Sequence, residues 1–462
     1  MRGVRLPFLS LPLRFCYSST AHRCSWKPRN HVVPGLTKSS TSLKGPPCAA
    51  NCDAIREVSF WANVSQVPED ELFTITGKYI NDPHPHKLNV GIGAYRTEEG
   101  KAHVLDVVRK VEEIFADTKA LTKEYLPIPG TAKFREEARK SLFGDCLRAD
   151  DGSIVTHQTV SGAGALRLGC DLLKAHHESD ILCVPDPGWT QYAKIFPASG
   201  LRTPKIRYFD YEKRCLDIEG FLEDLRKAEP GSAVILQVCG HNPTGVDPTR
   251  EQWHQILEVM QSRRLLPFFD NAYQGFGSGD LDVDAYPLRL FEQAGMDMLV
   301  AQSFSKNMGL YGERCGALSV ACQTPEQAQC MLSQLSAIIM TNYGIPPRHG
   351  SDIATAILED PALSEEWKGE VKGMVDRMRN MRELLYLAIM KRNTPGNWEC
   401  IVDQVGMFAF IGLSEAQAKH LTSKWHVYLP TNGRISMAAV SRGSVNHLAD
   451  AIDDAVRNVH DD

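Results

Sequence analysis

No stretch of this sequence approaches the roughly 20 uninterrupted apolar residues that a membrane-spanning helix requires, which argues against a membrane protein. Its thirteen cysteines include no Cys-x-x-Cys pair. An odd, scattered set points to reduced, mostly buried thiols rather than a disulfide framework. Zinc-type spacing is also missing. His84 with His86, and His176 with His177, form close pairs, but no Cys or carboxylate set completes a ligand cluster around them, so they read as surface histidines and no metal is expected. The net charge is only -5 over 462 residues, which gives no electrostatic case for nucleic acid or an anionic membrane as partner. Internal repeats and low-complexity linkers are absent.

Residues 1–52 lack Asp and Glu altogether, yet carry Arg2, Arg5, Arg14, Arg23, Lys27, Arg29, Lys38 and Lys44 among frequent Ser and Thr. This composition fits an organelle-targeting segment, with the mitochondrial matrix the expected destination. A secretory signal built on FLSLPL, another organelle, a cytoplasmic location and a plain disordered tail are the competing readings.

After Asp53 the pattern becomes globular. Two helical windows flank a strand-like run, LNVGIGAY, at 88–95. From about 100 to 360, helical periodicity alternates with short apolar runs: DILCVPDP at 180–187, AVILQVCG at 233–240, LLPFFDNAY at 265–273 and MLVAQSFSK at 298–306. The alternation predicts an α/β fold with a mostly parallel, buried central sheet. Sites in such sheets lie beyond the carboxyl ends of the strands, and Asp186 to Trp189, His241 to Thr244, Asp270 to Tyr273 and Ser303 to Lys306 all fall there. A long helical stretch at 365–393, short strands at 406–413 and 433–440 and a closing amphipathic helix predict a smaller α+β domain, joined by the N-terminal segment near 60–100. The expected division is 1–52 targeting segment, 53–102 N-terminal segment and part of the small domain, 103–364 large domain, and 365–462 small C-terminal domain.

The chemistry concentrates in four segments. SFSKNMGLYGERCG at 303–316 sets Lys306 directly after an apolar strand. Burial there lowers an amine's pKa and yields the neutral form that a Schiff base needs. Arg314 offers a forked cation suited to phosphate, and Ser303 a hydroxyl. VSGAGALRLGCDLL at 160–173 reads as a strand end, a small-residue turn and a helix start, whose bare amides can cradle a phosphate. CGHNPTGVDP places Asn242 in a tight loop. FFDNAYQGF puts Asp270 at a strand end, where a carboxylate can keep a heterocyclic nitrogen protonated, with Tyr273 three residues on. DPGWTQY offers Trp189 as a flat surface. Each feature alone has a plain alternative: an exposed lysine at a strand end, an ordinary strand–helix turn, a tryptophan packed in the core.

Taken together, HNPTG, DNAYQGF and SFSKNMGLYGERCG, in this order and spacing, resemble the fold-type I aminotransferases, and within them the aspartate aminotransferase subfamily. EYLPIPG at 124–130, GIGAYRTEEG at 91–100 and GRISMAAV at 433–440 fit the same family. The resemblance implies a pyridoxal phosphate (PLP) enzyme that moves the amino group of an L-amino acid to a 2-oxo acid. It implies that Lys306 holds PLP as an imine and then acts as general acid/base. Asp270 is implied to keep the pyridinium protonated, and Tyr273 and Asn242 to bond the phenolic oxygen. Trp189 stacks on the ring in this reading, and Ser161, Gly162, Ala163, Ser303 and Arg314 surround the phosphate. Arg434 clamps the substrate α-carboxylate, and Gly93 contributes backbone contact as the small domain closes. The family is homodimeric, which implies that Tyr125 and the residue at position 340 face the neighbouring subunit's site. A PLP lyase or decarboxylase on the same scaffold, and a non-catalytic homologue, are the competing functions; Tyr125, Gly93 and Arg434 also have plain structural readings.

Three positions depart from the family. Ala163 stands where relatives commonly have Thr, at a cost of about 1 kcal/mol for one hydrogen bond. Tyr192 stands where relatives carry a histidine near the cofactor-linked carboxylate, which alters how Asp270 is held. Most consequentially, relatives specific for dicarboxylates carry an arginine in a segment resembling IRxxxSNPP. Here the segment is IIMTNYGIPP at 338–347, and Met340 occupies the arginine's place. This substitution predicts weaker selectivity for aspartate and better tolerance of apolar or aromatic side chains, unless another cation such as Arg348 takes over.

Overall fold

The computed structural model describes residues 60–61, 63–119, 122–146, 148 and 151–460. The expected targeting segment, residues 1–52, lies outside them. The chain divides into two units, residues 1–67 and 68–462. In the described part of the first, the Val64 N–H donates to the Trp61 carbonyl at 3.0 Å.

In the second unit seven strands form one sheet: Ile154–Val160 (β1), Leu182–Asp186 (β2), Lys205–Arg207 (β3), Ala233–Gln237 (β4), Leu266–Asn271 (β5), Met298–Ser303 (β6) and Cys315–Ala321 (β7). Their order is β1-β7-β6-β5-β4-β2-β3. The β3–β2, β2–β4, β4–β5 and β5–β6 pairs are parallel, and β7 runs antiparallel to both β1 and β6. The expectation of a mostly parallel α/β sheet is borne out.

Alternate side chains of the central strands feed two separate cores, as the two-residue period of a strand dictates. Val234, Leu236, Phe269 and Val300 join Phe221, Trp253, Ile256 and Phe291 on one face. Ile235, Phe268, Leu299 and Leu318 join Leu166, Leu172, Tyr192 and Phe196 on the other. Burial on both faces explains why these strands read as continuous apolar runs rather than alternating ones.

The helix Pro361–Lys391 links two further cores. Its first half sends Trp367, Val371 and Met374 against Leu105, Phe134 and Phe304. Its second half sends Met381, Leu385 and Ile389 against Ile401, Leu421, Val427, Ile435 and Leu448, and Val90 from the N-terminal segment joins that core. Only Leu88–Asn89 of the run at 88–95 is strand, and it pairs in parallel with Val427–Tyr428. Beyond it the Gly91 carbonyl accepts from Arg434 and the Tyr95 N–H donates to the Tyr311 hydroxyl. Phe408–Phe410 pairs antiparallel with Arg434–Ser436. Buried Arg382 fastens this strand to the long helix by donating to the carbonyls of Ile401, Gly406 and Phe408. Of the nine described cysteines, six are buried. No helix among the described residues is long and apolar enough to cross a membrane.

Candidate active site

The carboxyl ends of β1, β2, β4, β5 and β6 open onto a cavity of about 260 Å³. Asp270 sits near the end of β5, between Gln237 of β4 and Ala301 of β6 in register, and is 6% exposed. Burial raises its carboxyl to about 6, against the Tyr192 hydroxyl and Lys306, which both favour the ionised form. The Tyr192 hydroxyl donates to Asp270 Oδ2 at 2.6 Å.

Lys306 lies three residues beyond β6, where the fully buried Phe304 anchors the chain. Burial lowers its ammonium to about 8; Asp270 opposes the shift, and Arg314 and Arg434 add to it. The shift favours the neutral amine that condenses with an aldehyde. Its Nζ lies 5.6 Å from the centre of the Tyr273 ring.

Asn242 is gripped at its backbone by Gln237, which accepts its N–H at 2.8 Å and donates to its carbonyl at 3.0 Å. Asp247 holds the same loop by accepting the Gly240 and His241 N–H groups at 2.6 and 2.9 Å. Thus fixed, the Asn242 side chain donates to the Tyr273 hydroxyl at 3.2 Å and accepts from Arg434 Nη1 at 3.0 Å. Arg434 is 6% exposed; its Nη2 donates to the Gly91 carbonyl at 2.6 Å, and its guanidinium lies 4.2 Å from the centre of the Phe408 ring. Among the described residues its buried Nε has no partner, an unsatisfied donor that a carboxylate ligand can take up.

The turn after β1 forms the polar end. Ser161 has φ +63° and opens the helix Ser161–His176. Its hydroxyl lies 3.0 Å from that of Ser305 and 3.5 Å from that of Ser303, and its N–H donates to the Arg314 carbonyl. A Cβ on Gly316 would sit 2.6 Å from the Ser161 carbonyl carbon and 2.9 Å from the Gly162 nitrogen. Only glycine lets β7 approach this turn so closely. Clustered hydroxyls, a helix N-terminus and the exposed Arg314 make this end suited to a phosphate.

The sequence model of the family "Aminotransferase class I and II" matches residues 85–452. The chain belongs to this family. Among its relatives, a chloroplastic aspartate aminotransferase of Arabidopsis thaliana is 47% identical over 440 residues, 95% of this chain and 97% of that protein. Two solved structures match closely. The cytoplasmic aspartate aminotransferase of Saccharomyces cerevisiae has a TM-score of 0.85 at 37% identity, covering 87% of this chain and 99% of that one. An aromatic-amino-acid aminotransferase of Burkholderia pseudomallei, covalently bound to pyridoxal phosphate, has a TM-score of 0.84 at 36% identity, covering 86% and 100%. Other relatives are named for the cytoplasm and the mitochondrion. The expected recognition is borne out: this is an aminotransferase of the aspartate aminotransferase subfamily, and pyridoxal phosphate is its cofactor.

The aminotransferase cavity fits that group. A buried amine of lowered basicity and a buried carboxylate line the same space, with the hydroxyls and Arg314 at its polar end. Of the residues singled out in the sequence, Gly93, Ser161, Gly162, Ala163, Trp189, Asn242, Asp270, Tyr273, Ser303, Lys306, Arg314 and Arg434 all line it. Gly93 is close-packed, since a Cβ there would lie 3.1 Å from the Phe408 ring. Tyr125 and Met340 do not line the cavity. They are 81% and 52% exposed, Met340 in the last turn of the helix Pro325–Asn342. Arg348 is held by Asp352 at 2.8 Å. Sequence reasoning missed Leu72, Gln237, Ser305 and Phe408 in the cavity wall. Ser305 had a signal, as a second hydroxyl in SFSK; Leu72 had none.

Proposed function

We propose that this chain transfers the amino group of an L-amino acid to a 2-oxo acid of the 2-oxoglutarate or oxaloacetate type, with a donor range wider than aspartate. The observation that carries the reading is the convergence of the Lys306 amine, the Asp270 carboxylate and the Arg434 guanidinium on one cavity. Bound PLP supplies an aldehyde that condenses with amines and a ring that accepts the electrons of a broken Cα–H bond. Lys306 holds the cofactor and, once the substrate amine displaces it, carries the proton to and from the substrate Cα at Nζ. Asp270 offers its carboxylate to the ring nitrogen. Tyr273 and Asn242 face the phenolic oxygen. Trp189 covers the ring, and Ser161, Gly162, Ala163, Ser303 and Arg314 hold the phosphate. Arg434 takes the substrate α-carboxylate with Nε and its Nη edge, and Gly93 contributes backbone contact.

The chain acts as a homodimer in this reading, with the exposed Tyr125 and Met340 facing the partner subunit's cavity. Met340 then lies against the distal end of the substrate. Arg348, already bonded to Asp352, supports the view that no cation replaces the missing arginine. A distal carboxylate left unpaired costs about 3–5 kcal/mol, or roughly two to three and a half decades in kcat/KM. Residues 1–52, outside the described part, direct the protein to the mitochondrial matrix in the same proposal. The test is a donor panel of aspartate, methionine, tyrosine and phenylalanine with 2-oxoglutarate and oxaloacetate, on protein lacking residues 1–52. Comparable rates across the donors support the reading; an aspartate preference beyond about a hundredfold contradicts the wide range.

A further inference from the structure

Tyr192 touches two sides of the candidate site at once. Its hydroxyl donates to Asp270 Oδ2 at 2.6 Å, with both residues buried. Its ring stacks on Phe196 at 4.8 Å and 16° and meets Trp189 edge-on at 5.5 Å and 86°. Its backbone N–H donates to the Trp189 carbonyl at 3.0 Å. The phenol is thus clamped by packing before it reaches the carboxylate, which is the condition for a second residue to fix a first one's orientation.

We propose that Tyr192 is a positioning residue: its phenolic proton occupies Oδ2 of Asp270, keeps that carboxylate ionised inside an apolar wall, and leaves Oδ1 as the acceptor for the cofactor's ring nitrogen. The inference rests on the reading of Asp270 as the cofactor's partner. Its chemical content lies in the donor being neutral. Burial and the Asp270 charge push the phenol's own ionisation well above the usual tyrosine range, so it gains and loses no proton at neutral pH. The titratable groups facing Asp270 are Tyr192, Lys306 and Tyr273; its register neighbours Gln237 and Ala301 are uncharged. Among the described residues, only Tyr192 bonds the carboxylate directly. Its removal therefore acts on cofactor retention through Asp270, and in a pH-dependent way.

The test titrates apoenzyme with PLP over a pH range of about 5 to 8, following the visible absorbance of the bound cofactor. In Tyr192→Phe, which keeps the stack on Phe196, the pH below which affinity falls should move up by about one unit, with about tenfold weaker binding below it. Tyr192→His supplies a donor that becomes cationic as pH falls and should move that midpoint the other way. In an Asp270→Asn background, Tyr192→Phe should change affinity less than about twofold, because the coupled partner is gone. Coincident wild-type and Tyr192→Phe curves, or an equal loss in both backgrounds, would overturn the proposal and leave Tyr192 as packing alone. The proposal also fails if both variants move the midpoint in the same direction. Wild-type protein that takes up no PLP at any pH would instead remove the functional reading beneath it.

Discussion

Replacing Arg434 by lysine separates carboxylate recognition from side-chain recognition. The guanidinium is buried, already donates to Asn242 Oδ1 and the Gly91 carbonyl, and keeps an unpartnered Nε. A carboxylate meets this fork with two parallel charge-assisted bonds, whereas an ammonium offers a point charge and one good bond. Losing one such bond costs about 1.5–3 kcal/mol. At about 1.4 kcal/mol per decade, Arg434→Lys should lower kcat/KM by one to two decades. Every donor and acceptor carries the same α-carboxylate, so the factor should be the same for aspartate, phenylalanine and 2-oxoglutarate. Steady-state kinetics with each substrate at saturating partner measures it. A loss below about threefold, or one confined to dicarboxylates, would refute the assignment of Arg434 to the common carboxylate.

Three further outcomes follow from the same geometry. The folded-state pKa of Asp270, about 6, lies above its ordinary 3.8, so the ionised carboxylate costs stability as pH rises from about 4 to 6. Asp270→Asn should stabilise the apoenzyme above that window by up to about 3 kcal/mol and not below it, as denaturant melts at the two extremes would register; an equal gain at both pH values contradicts this. Gly316→Ala forces a methyl against the Ser161–Gly162 backbone, and should cost about 1–3 kcal/mol of stability and weaken PLP binding, measured by melting and by cofactor titration. Met340→Arg should raise kcat/KM for aspartate by at least about tenfold while leaving phenylalanine unimproved.

Lys306 and Asp270 were legible because each lies near or just beyond the end of an apolar strand, where a charged residue has few structural reasons to be. The strands at the sheet's two edges were harder to see. β1 reads IVTHQTV, and its polar side chains hid its burial. Thr156 bonds Ser319 at 2.8 Å, His157 reaches the Leu332 carbonyl at 3.1 Å, and Gln158 donates to the Pro347 carbonyl at 2.6 Å. Such partners come from residues more than 150 positions away, which local periodicity cannot show. β3 is short and carries Lys205 and Arg207 outward as an edge strand does, so its sequence looks like a loop. Within the site, the sequence marked Tyr192 as unusual, but its bond to Asp270 depends on how the segment after β2 packs over β5. Leu72 and Phe408 reach the cavity from opposite ends of the chain, and neither sits in a motif.

The central claim is that the Lys306 amine condenses with the cofactor's aldehyde. The direct measurement is the visible absorbance of purified holoenzyme before and after borohydride, with peptide mapping of the reduced adduct. The account predicts a band that borohydride abolishes, a pyridoxyl group covalently fixed on Lys306, and neither in Lys306→Ala. A colourless protein indifferent to added PLP, or an adduct on a different lysine, would contradict it.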